Sequence, residues 1–130
     1  MIAWVPAALW AIGLFFLSEV RDIPSAVEAF LPVPDKLVHL VLYIAFGGLL
    51  AWAKRTSRTE VPHALLLVLG AVYGAIDEWH QSFVPGRTPE FSDWLADLAG
   101  VLVGYLIVAQ LLERGVVTNP SWTVNERDGE

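Results

Sequence analysis

Residues 1 to 18 carry no charge, and three further apolar runs follow. Leu37 to Ala53 is interrupted by His39 and Tyr43, Val61 to Ile76 forms the next run, and Trp94 to Leu112 holds Asp97 as its one charged residue. Each run approaches the roughly 17 to 25 residues that a helix needs to cross a bilayer core. A soluble four-helix bundle would need a polar outer face on each segment, and these runs show almost none. The pattern therefore predicts an all-α membrane protein, a four-transmembrane-helix bundle. Residues 1–117 form its transmembrane domain, and 118–130 a polar C-terminal tail expected to be disordered.

Punctuation refines the elements. The first run lacks a basic stretch before it and is followed by Ser-Glu-Val-Arg, so it is expected to be a retained helix and not a cleaved leader. Pro6 falls in its first turns, where a missing amide donor costs little. Pro34-Asp35 marks the start of the second helix, with Asp35 placed to accept from first-turn amides. The fourth is expected to begin after Ser92, with Asp93 at its positive end.

Composition agrees with the pattern: 55% of the 130 residues are hydrophobic and 17% charged, and the mean hydropathy is +0.54. A net charge of −6 leaves no basic surface for nucleic acid. The absence of cysteine removes disulfides, thiolate metal sites and cysteine nucleophiles. Four spans place Lys54, Arg55, Arg58, Arg114 and Arg127 on one side and Arg21, Lys36 and Arg87 on the other. The bias, sharpened by three cations in one short loop, puts both termini in the cytoplasm.

The remaining polar residues collect at the opposite, outer ends of helices two, three and four. At a rise of about 1.5 Å per residue, His39 lies about 6 Å along from Asp35 and Asp97 about 6 Å along from Asp93. Asp77 lies about 22 Å from the inner start of its helix, so His39, Asp77 and Asp97 share one depth. Ionisable groups at such depth need partners, water or the bundle interior. Gly100 and Gly104 share the stripe of Asp97, and Gly70 and Gly74 lie below Asp77, so close approach along these stripes is expected to set Asp77 against Asp97.

The candidate proton-handling or catalytic groups are Asp77, Glu78, His39 and Asp97; a His beside a carboxylate is held in one tautomer, which suits proton transfer. Arg87, on a Pro85-Gly86 turn, offers a planar fork of donors for an anion and joins Gln81, Lys36, Tyr43 and Asp93 as candidate binding groups. Each has a plainer role open to it: Arg87 pairing with Asp93, Asp97 bonding Tyr73, Gln81 or His39, and Trp79 and His80 anchoring the interface.

In sequence, Asp35-Lys36-Leu-Val-His39 with Tyr43, then Tyr73-Gly-Ala-Ile-Asp77-Glu78-Trp-His-Gln81-Ser-Phe83-Val-Pro85-Gly86-Arg87, then Asp93 with Asp97 and Gly100, resemble the VanZ-like family of small integral membrane proteins. The resemblance spans roughly Asp35 to Gly104. It implies a multi-pass protein of the bacterial cytoplasmic membrane, in a family with a link to resistance to the glycopeptide teicoplanin; it supplies no biochemical activity.

Three functions fit the residues. One is a module that binds or modifies a polar lipid headgroup or a lipid-linked cell-wall component at the outer face. Another is an enzyme in which Asp77, Glu78 and Asp97 hold Mg2+ against a phosphorylated lipid, although no metal-ligand spacing demands it. The third is a structural protein whose acids fix helix register. Cofactor and oligomeric state are not legible.

Overall fold

A computed structural model describes residues 1–19 and 34–116. Arg21 and Arg127 of the charge count, and the tail 118–130, lie outside the described residues. A 3-10 turn at Ile2–Trp4 leads into α1 (Val5–Ser18), followed by α2 (Asp35–Ser57), α3 (His63–Gln81) and α4 (Phe91–Glu113). No strand occurs among the described residues. Pro6 sits in the opening turn of α1, as the sequence suggests. α2 closes on Lys54 and Arg55, which complement the negative end of the helix, and then on Arg58 in the left-handed conformation.

Two helix starts differ from expectation. Pro34 precedes α2 in extended conformation, and Asp35 makes no capping bond. It is already inside the first turn, where its charge still meets the helix dipole. α4 begins one residue before Ser92, with Glu90 at the flanking position, and the Ser92 hydroxyl donates to the Glu90 carboxylate instead of capping. Asp93 does fall in the first turn of α4.

Two helices, α2 and α4, are long and apolar enough to cross a membrane, where the sequence pattern predicts four spans. α1 has 14 residues, about 21 Å at the helical rise. α3 ends on Asp77, Glu78, His80 and Gln81, and these polar turns dilute its hydropathy. The 18-residue apolar windows of α2 and α4 are only 44% and 33% buried, unlike the core helices of a soluble protein. Val41, Leu69, Val72, Leu102 and Ile107 lie exposed, while Asp97, Gln81 and Asp77 lie buried. An apolar exterior around a polar interior is the distribution that suits lipid as solvent.

α2 and α4 run parallel and make the closest contact. A Cβ on Gly104 would stand 1.9 Å from the Ile44 carbonyl oxygen, and one on Gly47 would stand 2.1 Å from that of Val101. One on Gly100 would lie 2.7 Å from the Leu40 oxygen. The pairings 40 with 100 and 44 with 104 fix the register. The stripe of Gly100 and Gly104 thus receives α2, not α3 as the sequence reading has it. Gly70 and Gly74 do face α4, against Val101 and the Asp97 side chain respectively. α3 runs antiparallel to both, tied by the Trp94 indole donating to the Ala71 carbonyl at 3.0 Å.

α1 lies across α2 and α3. The Trp10 indole donates to the Leu42 carbonyl at 3.0 Å, and the Tyr73 hydroxyl donates to that of Ala11. Ala7 and Leu14 join Tyr43, Phe46, Leu50 and Val101 in the apolar core. Above that core the bundle ends in polar groups.

Candidate functional site

The N-terminal ends of α2 and α4 and the C-terminal end of α3 converge, because α3 runs against the other two. This single fact gathers residues 35–43, 77–81 and 87–97 at one end of the molecule. Asp97 is fully buried, and Asp77, Glu78, Gln81, Asp93 and His39 are buried around it. The common depth expected for His39, Asp77 and Asp97 agrees with this arrangement.

The centre of the cluster is a pair between α2 and α4: His39 Nδ1 lies 2.9 Å from Asp97 Oδ1. An ionised carboxylate only accepts, so the proton belongs on Nδ1. His39 Nε2 then points the other way, 3.8 Å from Asp35 Oδ2 near the surface. On α3, the neighbouring acids take different partners. Asp77 Oδ2 accepts from the Tyr43 hydroxyl at 3.3 Å, and Glu78 Oε2 accepts from the Glu90 amide at 3.1 Å. Glu78 Oε1 and Asp97 Oδ2 are buried with no hydrogen-bond partner among the described residues.

A charged rim surrounds this centre. Lys36 Nζ lies 2.7 Å from Glu90 Oε2 and 3.3 Å from Asp93 Oδ1. Asp93 is thus held by Lys36, where the sequence admits Arg87. The bonds from Lys36 and then Ser92 hold the Glu90 carboxyl below the usual range. Arg87 Nη1 stands 3.7 Å from Asp35 Oδ2, a separation too long for a firm hydrogen bond.

A cleft of about 50 Å³ opens between Ser18, Asp35, His39, Asp77, Gln81 and Arg87. A water needs about 10–15 Å³ of such space, so the cleft has room for an ion or a few waters. Any headgroup must rest at its mouth, against Arg87. A larger polar cleft, about 490 Å³, lies at the opposite end between Lys54, Arg55, Arg58 and Glu60. His63 and Tyr105 also line it, and its Lys54 donates to the Thr59 and Val61 carbonyls.

Two trios bring metal-competent atoms within 4.8 Å of one another: His39 with Glu78 and Asp97, and His39 with Asp35 and Asp93. The first has His39 where the sequence reading of a metal site has Asp77, since Asp77 turns to Tyr43. Sequence reasoning also missed Ser18, which lines the cleft from α1. It gave His80 to the interface, but the ring packs 4.3 Å from that of Phe15, and Nε2 lies 3.4 Å from Glu19. Trp79 does lie exposed. His63, given no role from sequence, bonds the Tyr105 hydroxyl at 2.7 Å near the other end.

A family model described as VanZ/LLP1 matches residues 4–113. No curated protein and no solved structure matches the chain.

Proposed function

The chain belongs to the VanZ-like family, and from that premise we propose that it is an integral membrane protein that binds, and through His39 modifies, a phosphate-bearing lipid headgroup or lipid-linked cell-wall component at the outer face of the bacterial cytoplasmic membrane. The observation that carries this reading is the buried His39–Asp97 pair directly beneath a rim that holds Arg87. Asp97 fixes the ring so that Nε2 faces the mouth, where a proton can be taken up or given. Arg87, at the rim of the cleft, carries the planar fork of donors that makes a two-pronged bond to phosphate. Gln81 and Tyr43 complete the wall, and Lys36 holds the rim together through Glu90 and Asp93.

Orientation follows from charge. Lys54, Arg55 and Arg58 occupy the end opposite the site, so the positive-inside rule turns the site outward. This reading takes α1 and α3 as two further, shorter spans and sets both termini in the cytoplasm. A protein that holds or alters a lipid-linked cell-wall component there changes what a glycopeptide such as teicoplanin encounters, which connects this site to the family's resistance link.

Because the chain has no cysteine, single substitutions report orientation without background. Thr88→Cys is expected to react with a membrane-impermeant maleimide in intact cells, and Glu60→Cys only after permeabilisation; the reverse pattern would turn the site inward. For the ligand, a titration of short-chain phosphatidylglycerol into the detergent-solubilised protein tests Arg87. A charge-assisted hydrogen bond contributes about 1.5–3 kcal/mol, so Arg87→Ala is expected to weaken binding roughly ten- to a hundredfold. Equal affinity in both proteins contradicts the reading and favours a register-fixing role for the cluster.

A further inference from the structure

We propose that His39, Glu78 and Asp97 form a binding site for one divalent transition-metal ion, of the Mn2+ or Zn2+ type. Their candidate ligand atoms lie within 4.8 Å of one another, and all three side chains are buried. Ligands around such an ion, at about 2.0–2.2 Å from it, stand roughly 3 Å apart when adjacent. The 2.9 Å edge between His39 Nδ1 and Asp97 Oδ1 already has that spacing. Small inward movements of Glu78 close the rest.

Unpaired oxygens point to an ion independently of the clustering. Glu78 spends one oxygen on the Glu90 amide, and Asp97 spends one on His39; the other oxygen of each, like Asp77 Oδ1 beside them, is buried without a hydrogen-bond partner among the described residues. Orphaned carboxylate oxygens in a low-dielectric interior are costly. Charge makes the same point. The rim cations are committed to rim acids, Lys36 to Glu90 and Asp93, and Arg87 faces Asp35. Asp77, Glu78 and Asp97 then have two imidazoles near them among the described residues, His39 within the cluster and His80 beside Asp77, and a divalent ion offsets the remaining excess of carboxylates.

The donor set selects the ion. Mg2+ and Ca2+ favour oxygen alone, whereas one imidazole with two carboxylates suits Mn2+ or Zn2+. The ion takes the place of the proton between His39 Nδ1 and Asp97, and Asp35 then stands behind the ring at Nε2, the carboxylate–histidine–metal arrangement that orients ligating imidazoles. Binding needs no lipid, but the ion shares His39 and Asp97 with the headgroup reading, and a bond to Nδ1 would replace the Asp97 hydrogen bond that orients the ring there.

The test uses the full chain in detergent, stripped with EDTA, dialysed in separate samples against Mn2+ and Zn2+ and then washed. Elemental analysis is expected to find about one Mn2+ per chain, falling to near zero in Glu78→Gln with helix content unchanged. Pulsed electron paramagnetic resonance of the wild type is expected to show coupling to an imidazole nitrogen, which His39→Gln removes. Absence of retained Mn2+ and Zn2+ in the wild type overturns the proposal, as does retained Mn2+ without nitrogen coupling. Retention in Glu78→Gln with loss in Asp35→Asn overturns it too, placing the ion in the shallower trio. A chain that retains no ion yet binds phosphatidylglycerol through Arg87 sinks this inference and leaves the headgroup reading standing.

Discussion

Asp97→Ala is expected to destabilise the bundle by about 3–5 kcal/mol, the range found when one partner of a buried ion pair is removed. Asp97 is the most buried acid of the cluster, and its partner His39 is on another helix, 58 residues away in sequence. Truncation strands the imidazole among Tyr43, Glu78 and Asp77 and opens a void against Gly74, whose missing Cβ leaves room for the Asp97 side chain. Asp97→Asn keeps the shape and an acceptor oxygen, so its loss is expected to be smaller. Equilibrium unfolding in mixed micelles with EDTA present measures the pair free of any ion. A loss below about 1 kcal/mol for Asp97→Ala, the level of an exposed pair, contradicts the buried pairing of α2 with α4.

Gly104→Leu is expected to prevent the native bundle from forming. Even a Cβ at this position falls 1.9 Å from the Ile44 carbonyl oxygen and 2.7 Å from its carbon. That contact is backbone, which no side-chain rotation relieves. Overpacking in cores costs about 1–3 kcal/mol where neighbours can shift, and Gly104→Ala is expected to exceed that range. Separation of α2 from α4 here also pulls His39 from Asp97, about two turns from Gly104 along α4, so the site fails with the fold. Gly13 in α1 is the control: a Cβ there meets nothing within 4 Å. Gly13→Ala is expected to be neutral or to gain up to about 1 kcal/mol from helix propensity. Similar melting of Gly104→Ala and wild type in detergent would contradict the α2–α4 register.

The four helices were legible because apolar runs and the Pro34 and Pro62 boundaries are local signals. The polar end was legible for a related reason: rise per residue alone puts His39, Asp77 and Asp97 at one level. Partner choice was not. Gly100 and Gly104 announce a thin face on α4, but nothing in a single helix says which neighbour will occupy it. Gly47 and Gly48 on α2 were the complementary signal, and the contact at Val101 shows their use. Asp77 does come near Asp97, but the rotation of α3 gives its hydrogen bond to Tyr43 and leaves Glu78 near His39. The capping roles given to Asp35 and Ser92 failed by one residue at each boundary, a shift that turns Ser92 to the neighbouring Glu90 carboxylate and Asp35 to His39 and Arg87. The packing of His80 on Phe15 of α1 could not be foreseen, since the path of α1 follows from tertiary contacts.

The central claim is that the outer polar end, and not the basic inner cleft, holds a phosphate-bearing headgroup. Native mass spectrometry of the protein released from lipid nanodiscs tests it directly, with wild type beside Arg87→Ala and Arg55→Ala. The account predicts that wild type and Arg55→Ala carry a bound anionic phospholipid or polyprenyl phosphate and that Arg87→Ala does not. Retention in Arg87→Ala with loss in Arg55→Ala would place the lipid at the opposite end and contradict the account.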